Sequence, residues 1–229
     1  MRGRWRSLRV EELGSSVPVP RRVFAIGLNY SEHAAESGSA APTADPPVFT
    51  KFPSCITGTL QRHRASGLTD TWTGRSELVA VIGRRGFRVS EADALRHVAG
   101  YAVGQHLSER ILRMAATPPQ FSRGKSLPGF GPIGPWLVIL DEVPDTNALE
   151  LGCEINGEVL QAGHTSQLIV SVPKLIETLS ATTPLLFGDV IFTGTPAGVG
   201  IGRNSPRFLA DGDVLTTHIE GLGRFGTDL

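Results

Sequence analysis

The sequence has few cysteines, no long apolar run and no excess of charge of either sign. Its two cysteines, Cys55 and Cys153, are too few and too far apart for a disulfide framework or a zinc cluster, which is typical of a reducing cytoplasm. No apolar run approaches about 18 residues, so no transmembrane helix is expected, and the basic first residues lack the apolar segment of a secretory signal. The 22 basic and 22 acidic residues balance, so neither nucleic acid nor an anionic membrane is an expected partner. A cytoplasmic globular protein is therefore predicted.

Short strands and turns make up most of what the sequence does contain. An apolar content of 40% supports a real core, and 27 glycines with 16 prolines predict many turns. Alternating or β-branched runs predict strands within residues 22–27, 48–53, 77–83, 136–140, 153–161, 188–193 and 211–223. The strongest local signal is Asn156-Gly157, which predicts a type I′ hairpin turn. The predicted fold class is mainly β with short helices (α+β), with an arm over residues 1–20 and one domain over residues 21–229.

One of the three lysines of the chain lies in a Gly/Pro-rich turn that precedes a predicted strand. Lys125 follows Arg123 and Gly124, and the strand-like run 136–140 comes soon after. Because sites tend to be built on loops at the rim of a sheet, Lys125 and Arg123 are candidates for binding an anionic substrate. The alternative is an ordinary solvated lysine in a surface turn.

A histidine and a glutamate follow the first predicted strand at helical spacing. If residues 31–36 are helical, His33 and Glu36 are i,i+3 neighbours on one face. A carboxylate beside an imidazole raises its basicity and fixes its tautomer, as a general base requires. The alternative is an exposed polar turn without catalytic function. Small residues follow from Ser37 onward, so this helix is a candidate for a mobile lid.

A glycine-rich run over residues 194–202 superficially suggests a nucleotide cradle. Such a cradle must open a helix, and the residues that follow, Arg203 to Pro206, do not favour one. We therefore expect a rigid loop whose backbone amides line a pocket. Elsewhere, His106 falls between a predicted strand over residues 100–105 and a short helix, where side chains project into clefts.

Taken together, these stretches resemble the fumarylacetoacetate hydrolase family over roughly residues 20–229. The resemblance is carried in order by the following segments: Gly27 to Tyr30 with His33 and Glu36, the strand from Glu77 to Gly83, Gly100 to Val103, Arg123 to Ser126, Gly131 to Trp136, Asn156 to Glu158, and Thr193 to Gly200. The resemblance implies a mixed β-sandwich roll and a homodimer. It also implies a small oxo- or diketo-acid substrate, with C–C hydrolysis, decarboxylation or keto–enol isomerisation as the chemistry and Mg²⁺ or Mn²⁺ as the default cofactor.

The residues that the family uses for acid–base chemistry are present. His33, Glu36 and Lys125 match the family pattern, with the His–Glu pair working on a proton and the lysine stabilising an enolate. Further candidate substrate-binding residues are Tyr30, Arg75, Glu77, Gln105, His106, Arg123, Gly194 and Thr195.

The residues that the family uses for the metal are not all present. Where the resemblance implies three carboxylate ligands, this chain has Arg75, Glu77 and His106. Hard divalent ions need oxygen ligands, and a guanidinium at the centre would repel them. We therefore expect no catalytic metal. Instead, Arg75, held by Glu77, is expected to bind an enolate or carboxylate with its fork of N–H donors.

These substitutions predict chemistry that needs only charge stabilisation and proton transfer, because an arginine cannot activate a bound water as a metal does. The expected reactions are isomerisation, decarboxylation, dehydration or cyclisation of a β-dicarbonyl or oxo acid, with secondary metabolism as a candidate setting. A first alternative is a catalytically inactive family member that serves as a binding or scaffold subunit. A second alternative is a conventional Mg²⁺-dependent C–C hydrolase.

Overall fold

Strands dominate the computed structural model, which describes residues 9–38, 40–42, 45–59, 71–198 and 207–229. The strands are β1 (Val23–Ile26), β2 (Val48–Lys51), β3 (Ile56–Thr57), β4 (Trp72–Thr73), β5 (Ser76–Ile82), β6 (Val98–Gln105), β7 (Ser108–Glu109), β8 (Gly131–Ile139), β9 (Glu150–Ile155), β10 (Glu158–His164), β11 (Val190–Phe192), β12 (Val214–Ile219) and β13 (Gly223–Asp228). The α-helices are α1 (Ser31–Glu36), α2 (Arg110–Met114), α3 (Phe121–Gly124) and α4 (Val172–Thr182). Short 3₁₀ turns cover Val10–Glu12, Pro53–Cys55, Glu91–His97, Leu140–Glu142 and Thr165–Gln167. The predicted fold class, mainly β with short helices, is confirmed.

A seven-stranded sheet forms the centre, in the order β2-β1-β11-β5-β6-β8-β3. Its middle strand β5 is buried along its whole length, as its β-branched run predicts. Successive side chains alternate between two cores: Leu78 packs with Leu175 and Ile176 of α4, whereas Val79 packs with Phe192 of β11. The amphipathic helix α4 therefore covers one face of the sheet.

A second sheet, in the order β10-β9-β12-β13, curls against the first. Its β9–β10 hairpin turns at Asn156 and Gly157, which have φ angles of 51° and 85°. Because a type I′ turn needs positive φ at both central residues, the predicted hairpin is confirmed. Cys153 and Leu215 of this sheet share a core with Leu107, which follows the end of β6.

The strand directions bring several strand ends to one edge of the central sheet. Strand β5 is antiparallel to both β6 and β11, so its N-terminal end meets their C-terminal ends. Strand β1 is parallel to β11, so helix α1, which follows β1, starts at the same edge. Residues just outside these strand ends are thus close in space while distant in the sequence, and the candidate site lies there.

The described part of the predicted arm lies against the domain. The backbone N–H of Ser16 donates to the carbonyl of Ile133, and the hydroxyl of Thr59 donates to the carbonyl of Val10. Over the described ranges, the longest helix is α4 with 11 residues, and no helix is long and apolar enough to cross a bilayer.

Candidate active site

A cavity of about 550 Å³ opens at the edge of the sheet where β5 begins. Its charged or titratable lining residues are His33, Glu36, Arg75, Glu77, Arg110, Arg113 and Lys125. Its apolar lining includes Leu28, Val48, Phe49, Met114 and Phe121. Thr195, a predicted substrate-binding residue, also lines the cavity. We refer to Arg75, Arg110, Arg113 and Lys125 as the four cavity cations. The cavity combines an apolar wall with a concentration of positive charge, which is a typical small-molecule site for an anion.

Arg75 lies on the cavity wall, where an anion-binding role would need it. It directly precedes β5, is 4% exposed, and has no hydrogen-bond partner at Nε or Nη2 among the described residues. Burial lowers the pKa of Arg75 to about 10, which still leaves the guanidinium charged at neutral pH. Buried donors without partners are costly, so Arg75 offers them to whatever anion enters the cavity.

The carboxylate of Glu77 contacts His106 and the backbone of Gly194, not Arg75. Its Oε1 lies 2.7 Å from Nδ1 of His106, and its Oε2 accepts the backbone N–H of Gly194 at 3.1 Å. No ion pair joins Glu77 to Arg75 in the described part of the chain, so the prediction that Glu77 holds the arginine is wrong. Burial raises the pKa of Glu77 and lowers that of His106 well below its usual value. Both oxygens of Glu77 therefore contact groups other than Arg75, whereas neither ring nitrogen of His106 has a well-formed hydrogen bond among the described residues.

The residues at this centre do not fit a divalent metal. Both oxygens of Glu77 are engaged, and the neighbouring position carries the buried cation of Arg75. Across the described ranges, no group of three or more His, Cys, Asp or Glu side chains could hold a metal ion. Mg²⁺ and Mn²⁺ need several oxygen ligands, which this set does not supply.

His33 and Glu36 form the predicted pair on helix α1. His33 Nδ1 lies 3.3 Å from Glu36 Oε2, and Glu36 Oε1 accepts the backbone N–H of Gly198 at 3.2 Å. Gly198 has a φ of 93°, and a Cβ there would lie 2.2 Å from the carbonyl oxygen of Leu160, so only glycine fits. His33 is 8% exposed and lies in a helix, so the alternative of an exposed polar turn is wrong.

The protonation of His33 differs from the sequence-based expectation. Burial, reinforced by the positive charges of the four cavity cations, lowers the pKa of His33 to about 3. The prediction that Glu36 raises the basicity of the imidazole is therefore wrong in net direction. His33 is uncharged at neutral pH, in the form that can accept a proton.

Lys125 is buried in the cavity wall rather than solvated in a surface turn. It is 5% exposed, and its Nζ lies 4.4 Å from the centre of the Phe49 ring. Burial lowers its pKa well below the usual value, and Arg75 acts in the same direction. Its turn is anchored by Lys51, whose Nζ donates to the carbonyls of Lys125 and, at 3.1 Å, of Phe130. Lys51 was missed in the sequence, although three lysines in an arginine-rich chain are a signal in themselves.

The loop after β11 supplies backbone amides to the site, as predicted. The N–H groups of Gly194 and Gly198 donate to Glu77 and Glu36, respectively. Gln161 of β10 fixes this loop, since its Nε2 donates to Thr195 Oγ1 at 3.0 Å and its Oε1 accepts the N–H of Ser76. The remainder of the glycine-rich run, residues 199–202, lies outside the described residues.

Helix α2 contributes two arginines that sequence reasoning missed. Arg110 is 6% exposed and its Nε donates to Thr73 Oγ1 at 2.8 Å. Arg113 is half-buried, one turn further along the same helix. Their spacing of three residues at the start of the helix that follows His106 was a usable signal, because i and i+3 share a helix face.

The other predicted substrate-binding residues do not line the cavity. Tyr30 is buried with an unpartnered hydroxyl among the described residues, and Arg123 is exposed on α3. Gln105 faces the second sheet, where it donates to the Leu215 carbonyl at 2.7 Å and accepts from Thr227. His106 and Gly194 lie behind Glu77 and act on the cavity through it.

Comparison with known proteins identifies the family of this chain. The family model described as fumarylacetoacetate (FAA) hydrolase C-terminal matches residues 22–229. The chain belongs to the fumarylacetoacetate hydrolase family. Named relatives of this family include tautomerases, isomerases and hydrolases, which places the chain among enzymes.

Three relatives illustrate the range of this family. An oxaloacetate tautomerase, FAHD2A, from Bos taurus mitochondria is 38% identical over 89% of this chain, which spans 65% of that protein. A crystal structure from Mycobacterium smegmatis, provisionally named as an HpcE protein, is 53% identical with a TM-score of 0.90, over 94% of this chain and 76% of its own. Fumarylpyruvate hydrolase from Pseudomonas aeruginosa, in complex with Mn²⁺ and pyruvate, is 31% identical with a TM-score of 0.82, over 91% of this chain and 89% of its own. The fold-level prediction of the family is thus confirmed.

Proposed function

We propose that this enzyme isomerises or otherwise converts a small oxo acid through an enolate, without a divalent metal. The observation that carries this proposal is Arg75, a buried cation that lines the cavity and has two donor nitrogens without a partner among the described residues. A forked guanidinium can bind the carboxylate or the enolate oxygen of an oxo acid in two hydrogen bonds. It thereby supplies the electrostatic stabilisation that a metal ion would give to the same oxygens.

The acid–base step falls to His33 and Glu36. Because His33 is uncharged at neutral pH, it can take a proton from the carbon next to the oxo group, while Glu36 orients the ring. A bound anion offsets the positive charges that hold the pKa of His33 down, so substrate binding itself makes His33 a stronger base. Lys125, which lines the same cavity, supplies further N–H donors for the developing enolate.

Reactions that need only a proton transfer and a stabilised enolate fit this donor set best. A guanidinium does not lower the pKa of a bound water, so hydrolysis by an activated water is less favoured than keto–enol isomerisation. Similarity to an oxaloacetate tautomerase supports the same choice of reaction. Decarboxylation, dehydration or cyclisation of a β-dicarbonyl compound uses the same groups. The homodimer, the cytoplasmic location and a role in secondary metabolism remain part of this proposal.

The test is enol-to-keto conversion of oxaloacetate, followed by the absorbance of the enol in the presence of EDTA. We expect turnover that persists in EDTA and falls at least about 100-fold in Arg75→Met, because the variant loses its main enolate-stabilising donor. Arg96→Gln, which changes an exposed arginine far from the cavity, serves as the matched control. Turnover that needs added Mg²⁺ would instead identify a conventional metal-dependent enzyme. Absence of turnover with every oxo acid tried would identify an inactive binding subunit.

A further inference from the structure

The three lysines of the chain differ in what holds their charged ends. Nζ of Lys51 donates to two backbone carbonyls, those of Lys125 and Phe130, and the exposed Lys174 forms an ion pair with Glu177. Nζ of Lys125, by contrast, takes part in no hydrogen bond or ion pair within the described ranges. A buried ammonium group without acceptors is costly, so the surroundings of Lys125 favour the uncharged amine.

The contacts of Nζ of Lys125 are with aromatic rings. It lies 4.4 Å from the centre of the Phe49 ring and 6.0 Å from that of Phe121, and the residue is 5% exposed. Ring faces attract a cation, but they do not replace the oxygen acceptors that water offers to an ammonium group. Because Lys125 lines the cavity, a ligand bound there can reach the amine.

Neighbouring charges act together with burial. Burial lowers the pKa of Lys125 well below its usual value, and the positive charges of Arg75 and Lys51 act in the same direction. The carboxylate of Glu77 opposes this shift, but burial raises the pKa of Glu77 as well. At neutral pH Lys125 therefore supplies an amine with a free electron pair, which is the form that attacks a carbonyl carbon.

The segment that carries Lys125 is anchored at the end of β2. Lys51 holds the backbone carbonyl of Lys125, and the hydroxyl of Ser126 accepts the backbone N–H of Phe52 at 2.9 Å. The amine thus lies on a fixed segment and lines the same cavity as the base His33. A bond-forming step needs such a fixed geometry between nucleophile, base and substrate.

We propose that Lys125 forms a covalent imine with the oxo carbon of the substrate, so that an enamine takes the place of a free enolate. Nζ attacks the oxo carbon, both protons of the amine pass to the oxo oxygen, and that oxygen leaves as water. The imine nitrogen then takes up one proton from solvent. This inference rests on the proposed function for the oxo acid and for its base.

The protonated imine is the electron acceptor of the next step. His33 takes a proton from the carbon next to the imine, the electron pair of that C–H bond forms a C=C bond, and the C=N pair moves to nitrogen. In an unsaturated acid, reprotonation at a more distant carbon shifts the double bond. Water then adds to the imine carbon, restores the oxo group and releases Lys125. Arg75 holds the carboxylate of the acid throughout.

The first experiment traps the imine in the unmodified protein. The protein is incubated in EDTA with pyruvate or oxaloacetate and sodium cyanoborohydride, which reduces a protonated imine to a stable secondary amine. Peptide mass mapping then locates the added mass, which is that of the acid less one oxygen. We expect Lys125 to be modified at least about tenfold faster than Lys51 and Lys174, which serve as internal controls. Equal modification of Lys125 and Lys174, or none at Lys125, would overturn the inference.

The second experiment follows the oxo oxygen, which leaves as water when an imine forms but stays on carbon in an enolate. In water labelled with heavy oxygen, the protein should speed the exchange of this oxygen at least about tenfold over the rate without protein. Lys125→Arg, which keeps a positive charge but is no nucleophile, should lose this effect, while Lys174→Arg, at an exposed position, should behave as the wild type. Thermal unfolding checks that both variants are folded. Exchange that persists in folded Lys125→Arg would overturn the assignment to Lys125.

These outcomes separate the inference from the proposed function. EDTA-resistant turnover of oxaloacetate without trapping or oxygen exchange would keep the proposed function and overturn the imine. Trapping at Lys125 without turnover of any oxo acid would keep the imine and overturn the proposed function.

Discussion

At one edge of the central sheet a buried aspartate is paired with an arginine, and at the opposite edge a buried arginine has no ion-pair partner in the part of the chain that the structure describes. Arg22, just before β1, is paired with Asp189, just before β11, with an Nε–Oδ1 distance of 3.3 Å. Arg75, before β5, is more deeply buried and has no such partner among the described residues. The Arg22–Asp189 pair joins the starts of two parallel strands. The N–H donors of Arg75 remain available to a ligand in the cavity. The comparison shows that the same residue type stabilises the fold at one edge and is available to a ligand at the other.

The sharpest way to test this comparison is to remove one charge at each edge. Asp189→Ala should lower the free energy of unfolding by about 3 kcal/mol, because it leaves Arg22 facing a buried position without its partner. Arg75→Met should leave that free energy unchanged or raise it, because it removes a buried cation that the protein does not pair. Urea unfolding at pH 7 measures both.

The two variants should rank in the opposite order by activity, with Arg75→Met the more impaired. Asp189→Ala should keep its turnover of oxaloacetate within about twofold, since Asp189 lies at the far edge of the sheet. If Arg75→Met destabilises the protein as much as Asp189→Ala does, Arg75 is a structural residue and the contrast between the two edges fails.

A smaller change in the free energy of unfolding is expected when the pH is lowered. Its lowered pKa means that His33 stays unprotonated in the folded protein, while in the unfolded chain it binds a proton below about pH 6.5. Stability should therefore fall as the pH falls below 6.5, and by pH 5 His33 alone should account for about 2 kcal/mol, at about 1.4 kcal/mol per pH unit. Urea unfolding at pH 7.5 and pH 5 should show a larger loss in the wild type than in His33→Gln. Equal losses would show that His33 is not held in its uncharged form.

The smallest expected effect concerns Lys51, a buried cation whose partners are backbone carbonyls. Lys51→Met removes the donors that hold the carbonyls of Lys125 and Phe130, so Lys125 is less well positioned. We expect kcat to fall about tenfold with little change in KM, and Lys174→Met, at an exposed lysine, to behave as the wild type. A change in stability alone, with kcat retained, would limit Lys51 to a structural role.

Much of the fold and part of the site could be predicted because the relevant signals are local. The alternation around Asn156-Gly157 determines the β9–β10 hairpin, and the apolar run of β5 determines a strand that is buried on both faces. The spacing of His33 and Glu36 determines that they share one face of α1 once those residues are helical. None of these features needs information about distant residues.

What only the tertiary structure decided depends on contacts between distant parts of the chain. The carboxylate of Glu77 binds His106 and the backbone of Gly194, 117 positions away, because β5 runs antiparallel to both β6 and β11. The low pKa of His33 depends on burial and on cations from other elements, which outweigh its neighbour Glu36. Strand pairing, burial and charge at a distance are properties of the folded chain. The sequence therefore determined which residues are present for the proposed chemistry, and the fold decided which of them meet and in which protonation state.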